Sequence, residues 1–197
     1  MKKKGLLIVL SGPSGVGKHT LWASLLKEKK FNLKYSISMT TRPKRFDETN
    51  GYEYFFVTRT KFKKAIDTNQ MLEYAEYCNN YYGTPKKYVE DLRDNGYNIL
   101  LEIEVQGGLN IKKIMEQTKD RQFVSIFILP PSTKDLIKRL RGRGTEGKEI
   151  IDHRIKQAKW EISQAKHYKY QIVNDKINVA KTKLKNILIK EMEKNVQ

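Results

Sequence analysis

The chain has 197 residues, 39 Lys and Arg against 22 Asp and Glu, a formal net charge of +17 and one cysteine, Cys78. This length supports one domain whose core buries about 70% of the unfolded surface and leaves no room for two separate domains, while a single cysteine excludes an internal disulfide framework and fits a reducing, cytoplasmic compartment. The lysines run from Lys2 to Lys185 along nearly the whole chain, so the charge reads as a solvated surface and no nucleic-acid groove is expected.

Met1 to Lys4, followed by the apolar Gly5 to Leu10, imitates the start of a signal peptide, but the apolar run is too short and no small-residue cleavage site follows. It predicts a first strand at Leu6 to Leu10. No other stretch approaches the ~20 apolar residues that span a bilayer, so no membrane association is expected.

Directly after that strand stands Gly12-Pro13-Ser14-Gly15-Val16-Gly17-Lys18. Three residues without side chains let the loop curl and turn backbone N–H groups inward around a polyphosphate, and Lys18 adds a point charge. A helix starting there would aim its own N–H groups and dipole at the same anion. The G-x-x-x-x-G-K spacing after a strand predicts nucleoside triphosphate binding, with Thr20 and His19 completing the set. His19 stands where Ser or Thr would offer a hydroxyl to Mg2+, and the hydroxyl comes one residue later, at Thr20. Magnesium prefers hard oxygen ligands. The ion is therefore expected on phosphate oxygens and water, beside a carboxylate, with no metal site built by the protein. His19 is expected to face solvent or nucleotide.

Leu21, Trp22, Leu25 and Leu26 predict one face of the helix that follows. Between Ser36 and Tyr88 the texture changes to short aromatic and alternating runs, Tyr52 to Val57 and Met71 to Tyr77, with turn signals at Asn50-Gly51 and Asn79-Asn80. These predict an inserted β-rich lobe. Apolar runs at Ile99 to Val105, Val124 to Leu129 and Gln171 to Val173 read as strands buried on both faces. Ser132 with Asp135 marks a helix start whose inward stripe is Leu136, Ile137 and Leu140. Further helices carry Ile151, Ile155, Ala158 and Ile162, then Ala180, Leu184, Ile187 and Leu188. The arginine- and glycine-rich stretch from Arg139 suits a mobile lid. The fold class is thus α/β: a doubly wound parallel sheet over 1–35, 89–138 and 158–197, a lobe over 36–88 and a lid over 139–157.

The polar groups of the lobe carry a resemblance. Ser36-Ile-Ser38-Met-Thr-Thr41-Arg42-Pro-Lys-Arg45, Asn50-Gly51-Tyr-Glu-Tyr54, Leu72-Glu73-Tyr-Ala and Asn80-Tyr-Tyr82-Gly83-Thr84 resemble the GMP-binding lobe of guanylate kinases. Leu101-Glu102-Ile-Glu104-Val-Gln106-Gly107, Ile126 to Pro131, Arg139-Leu-Arg-Gly-Arg143-Gly144 and Ile172-Val-Asn174-Asp175 continue the match in order over nearly the whole chain. The resemblance implies reversible transfer of the γ-phosphoryl group of Mg-ATP to GMP. Arg42, Arg45, Tyr54 and Tyr82 would hold the acceptor phosphate, a dianion that suits planar charged donors. Glu73 would accept the two adjacent N–H donors of guanine, where adenine's ring acceptor would be repelled. Ser38 and Thr84 would turn hydroxyls to the guanine edge. Glu104 would serve the acceptor site, with Glu102 in support. Lys18, Arg42, Arg139, Arg143 and Arg154 would neutralise charge during transfer, and Asn174 would lie near the donor adenine.

Two departures stand out: glutamate at the acidic pair where the family often has aspartate, and Pro43 one position early, which shifts the restriction it places on the backbone before Arg45. The rival implication is a non-catalytic guanylate-kinase-like module that holds a phosphopeptide in the same lobe. A monomer or homodimer is expected, and dGMP acceptance stays open.

Overall fold

A computed structural model describes residues 3–77, 79–141 and 148–196. Its centre is a five-stranded, all-parallel sheet of β1 (Leu7–Ser11), β2 (Leu33–Tyr35), β7 (Asn98–Glu102), β8 (Phe123–Leu129) and β9 (Tyr170–Val173), in the order β2-β7-β1-β8-β9. Strand side chains alternate between faces. Leu6, Ile8 and Leu10 therefore enter one core layer with Leu21, Leu25, Ile126 and Leu184, while Leu7 and Val9 enter the opposite layer with Val89, Ile111 and Phe127. Covering both faces with helices is what makes β1 apolar without interruption.

The helices are α1 (Lys18–Trp22), α2 (Arg59–Asp67), α3 (Lys86–Asp94), α4 (Val105–Gln117), α5 (Thr133–Arg141), α6 (Lys148–Ser163) and α7 (Ile177–Val196). Ser132 caps α5 as read from sequence: its Oγ accepts from the Asp135 N–H at 3.1 Å and donates to the Asp135 carboxylate at 2.5 Å. Among the described residues no helix is long and apolar enough to cross a membrane. Leu136, Ile155, Ala158 and Ile162 join α5 to α6.

A second, four-stranded sheet has the order β4-β3-β6-β5, from β3 (Ser38–Thr40), β4 (Tyr54–Phe56), β5 (Met71–Tyr77) and β6 (Asn80–Pro85). The turn residues Gly51 (φ 82°) and Asn79 (φ 58°) adopt left-handed backbone, which Gly and Asn tolerate best.

Several elements differ from the sequence reading. The helix after the loop stops at Trp22 and gives way to 3-10 turns at Leu25–Lys27 and Lys29–Phe31, which still bury Leu25 and Phe31. Asn32 then reverses the chain in left-handed conformation (φ 42°) into β2, a three-residue strand too short to show a period. The strand read to Val105 ends at Glu102, because Glu104 is the N-cap of α4 and Val105 its first residue.

Candidate active site

The glycine loop leaves β1 with positive φ at Gly12 (152°), Gly15 (80°) and Gly17 (90°). Substitution is blocked as well as strained: a Cβ on Gly12 would lie 2.4 Å from the Ile128 carbonyl oxygen, and one on Gly17 2.8 Å from Asn174 Nδ2. The Lys18 ammonium donates to the carbonyls of Gly12 at 2.7 Å and Pro13 at 3.4 Å. Burial pulls its pKa below the usual lysine value, opposed by Glu102, Glu161 and Glu104. Because α1 has only five residues, loop amides and Lys18 supply most of the positive potential, and the expected helix dipole contributes one turn's worth.

A cavity of about 380 Å3 opens over this loop. It is lined by Gly12, Ser14, Lys18, Glu102, Glu104, Arg154 and Glu161. Arg154 of α6 donates from Nη2 to the Ser14 hydroxyl at 2.6 Å, joining α6 to the loop. Arg143 and the side chain of Arg139 lie outside the described residues, as does Cys78. Ser14, His19 and Thr20 are exposed, and Pro13 and Val16 are buried.

A second cavity, about 370 Å3, is lined by Ser38, Tyr54, Glu73, Tyr82 and Glu104, together with Tyr35 and Glu102. The two cavities share Glu102, Ile103 and Glu104 as a common wall. A larger opening of 570 Å3, among Lys4, Phe31 and Met192, holds none of the loop or lobe residues named from sequence.

Inside the second cavity, Glu73 lies opposite Thr84 across the β5–β6 pair, next to a bulge in β5. Thr84 is fully buried, and its hydroxyl donates to Glu73 Oε1 at 2.7 Å. The hydroxyl proton thus braces the carboxylate, and the hydroxyl keeps its acceptor lone pairs. Burial raises the Glu73 pKa, Thr84 lowers it and the Glu104 charge raises it further, with a net upward shift. Gly107 of α4 packs against the other oxygen, where a Cβ would sit 2.9 Å from Oε2.

Tyr54 and Tyr82 meet edge-to-face with centroids 5.9 Å apart, and the Arg42 guanidinium lies 5.6 Å from the Tyr54 ring. Glu48, absent from the sequence reading, clamps this corner: it accepts from Arg42 Nη2 at 2.6 Å and from the Arg45 backbone N–H at 2.8 Å. Its signal was a carboxylate three residues after Arg45. The Arg45 side chain is exposed.

Asn174 is placed behind the glycine loop, 5% exposed, with Nδ2 donating to the Val16 carbonyl at 2.8 Å. Its described contact is with the loop backbone, beside the glycine loop that would carry the donor nucleotide. Glu161 was also missed. This α6 carboxylate, 6% exposed and bonded to Gln157 at 3.3 Å, reaches the loop cavity from one helical turn away.

Among the described residues no cluster of three His, Cys, Asp or Glu could hold a metal. Glu102 and Glu104 present hard oxygens beside the loop, a donor set that fits a magnesium ion arriving on a nucleotide.

A phosphate-cradling loop at the carboxyl end of a parallel sheet, facing a cavity of carboxylate and phenol groups, defines a P-loop phosphotransferase. A family model described as Guanylate kinase matches residues 4–191. Guanylate kinases of Streptococcus mutans and Streptococcus pyogenes are each 47% identical over 188 residues, covering 95% of this chain and 87% of theirs. The crystal structure of guanylate kinase from Anaplasma phagocytophilum superposes with a TM-score of 0.72 at 37% identity, covering 96% of this chain and 87% of that one. The chain belongs to the guanylate kinase family, the nucleoside monophosphate kinases of the transferase class.

Proposed function

We propose that this protein transfers the γ-phosphoryl group of Mg-ATP reversibly to GMP, giving ADP and GDP, in the cytoplasm. The observation that carries the reading is the shared wall: the glycine-loop cavity and the Glu73 cavity meet at Glu102, Ile103 and Glu104. The two cavities adjoin at these residues, so a donor and an acceptor phosphate bound one in each would be brought together, and alignment is most of what phosphoryl transfer requires.

In this mechanism the loop amides and Lys18 grip the donor phosphates; Glu102 and Glu104 would hold a magnesium ion arriving on the nucleotide, which would supply charge neutralisation. Arg42, Arg45, Tyr54 and Tyr82 hold the acceptor phosphate, with Glu48 fixing the aim of Arg42. The ionised Glu73 accepts the guanine ring N–H and amino group, and Ser38 contributes a hydroxyl. Arg154, with Arg139 and Arg143 from the 139–157 lid, closes over the transferring group and excludes water, so that ATP is not hydrolysed. The 36–88 lobe carries the acceptor and the remaining segments carry the donor. No general base is needed, because the acceptor phosphate oxygen is already ionised at neutral pH.

A coupled assay of ADP release with Mg-ATP and each nucleoside monophosphate in turn tests the proposal. GMP-dependent turnover well above that with AMP or UMP is expected. ADP release without dependence on any monophosphate would refute it.

A further inference from the structure

The short helix α1 ends in an indole that contacts the wall between the two cavities. Trp22, 4% exposed, donates from Nε1 to Glu102 Oε2 at 2.6 Å. Its ring lies nearly parallel to Tyr35, with centroids 4.6 Å apart and planes at 8°, and the His19 ring meets it edge-on at 4.7 Å and 77°. Tyr35 itself lines the second cavity. The indole N–H donates and cannot accept, so it holds a carboxylate oxygen without offering an alternative arrangement. His19, which departs from the usual loop pattern, thus closes an aromatic clamp.

We infer that Trp22 is a positioning residue for the phosphoryl transfer proposed above: its N–H holds Glu102 in the wall and away from Lys18. The inference rests on that reading of the site. Glu102 lines the loop cavity together with Lys18, and a carboxylate there competes for the ammonium that must receive phosphate oxygens. In the structure Lys18 donates to the carbonyls of Gly12 and Pro13, contacts that a phosphate displaces at small cost. An ion pair with Glu102 would be harder to displace, since hydrogen bonds to charged partners are the strong ones. Fixing Glu102 on a neutral donor keeps it hydrogen-bonded and leaves Lys18 available.

The test replaces Trp22 by 3-benzothienylalanine, which keeps the fused-ring shape and the stack on Tyr35 but lacks the N–H, with Trp22→Phe as a second variant. ADP binding is measured by calorimetry alongside steady-state kinetics. Loss of the N–H should weaken ADP binding and raise the KM for Mg-ATP about tenfold, the worth of one hydrogen bond to a charged group, while the KM for GMP and the Tm of the benzothienyl protein stay close to those of the unmodified chain. In a Glu102→Gln background the same replacement should have no further effect on ADP binding. Unchanged ADP binding in the benzothienyl protein, or an equal loss in the Glu102→Gln background, would overturn the inference. Absence of GMP-dependent turnover in the unmodified protein would instead overturn the proposed reaction, and the calorimetry would still report on Trp22.

Discussion

Glu73 is a carboxylate held where water is scarce, with one oxygen on Thr84 and the other against Gly107. Burial raises its pKa above the usual carboxylate value, so protonation begins at a higher pH than for an exposed glutamate. Guanine needs the ionised form. The KM for GMP should therefore rise as pH falls, with a midpoint above that of an exposed glutamate, while the KM for Mg-ATP shows no such limb; Glu73→Gln should abolish the limb and lower kcat/KM for GMP by about 10³-fold. Steady-state kinetics against pH checks both. Gly107→Ala would push on a carboxylate that Thr84 already restrains, so it should raise the KM for GMP about tenfold with a Tm loss of only a few degrees, measured by kinetics and thermal melting. Glu73 was legible in the sequence through its flanking residues. The roles of Thr84, Gly107 and Glu48 were not, since each depends on strand pairing or loop closure that brings distant positions within hydrogen-bond reach.

At the scale of elements, the glycine loop is held from behind by β9 and from above by α6. Asn174 follows β9 and pins the Val16 carbonyl, and Gly17 lies too close to it for any side chain. Removing that amide in Asn174→Ala leaves a buried carbonyl without its donor, a loss of about 1–3 kcal/mol readable by urea denaturation. Nucleotide affinity should fall with it. Arg154 bridges α6 to Ser14 of the loop; Arg154→Ala should lower kcat about 10²-fold with little change in Tm, checked by kinetics and melting. The strands β1, β7 and β8 were legible because burial on both faces leaves continuous apolar runs; β9, read as buried on both faces, is instead an edge strand that buries Ile172 and exposes Gln171 and Val173. β2 and the short α1 were not legible: a three-residue strand has no measurable period, and the apolar stripe Leu21, Trp22, Leu25 reads as one helix although two kinds of turn deliver it.

Across the whole molecule, the positive charge is carried mostly by lysines spread over the surface, and several are paired, as Lys4 with Glu90, Lys87 with Asp91 and Lys185 with Glu28 are. One such cluster governs acid stability. Burial alone would raise the pKa of Glu191 on α7, but hydrogen bonds from Lys169, Lys194 and Tyr170 outweigh it and hold the value at about 2. The carboxyl titrates at 4.5 when free, so its contribution is complete above that pH and is lost as pH falls toward about 2. Glu191→Gln should remove about 1–2 kcal/mol at neutral pH, after screening of the exposed lysines, and flatten the acid limb of stability; urea denaturation between pH 7 and 3 checks it. The partition of Glu102, Ile103 and Glu104 has its own consequence for ligand design. Two cavities that adjoin along three shared residues would admit one joined molecule, so an adenosine and a guanosine linked end to end by a phosphate tether should engage both at once. The second head would bind at the high local concentration set by the first, and such a double-headed molecule should compete with either nucleotide alone.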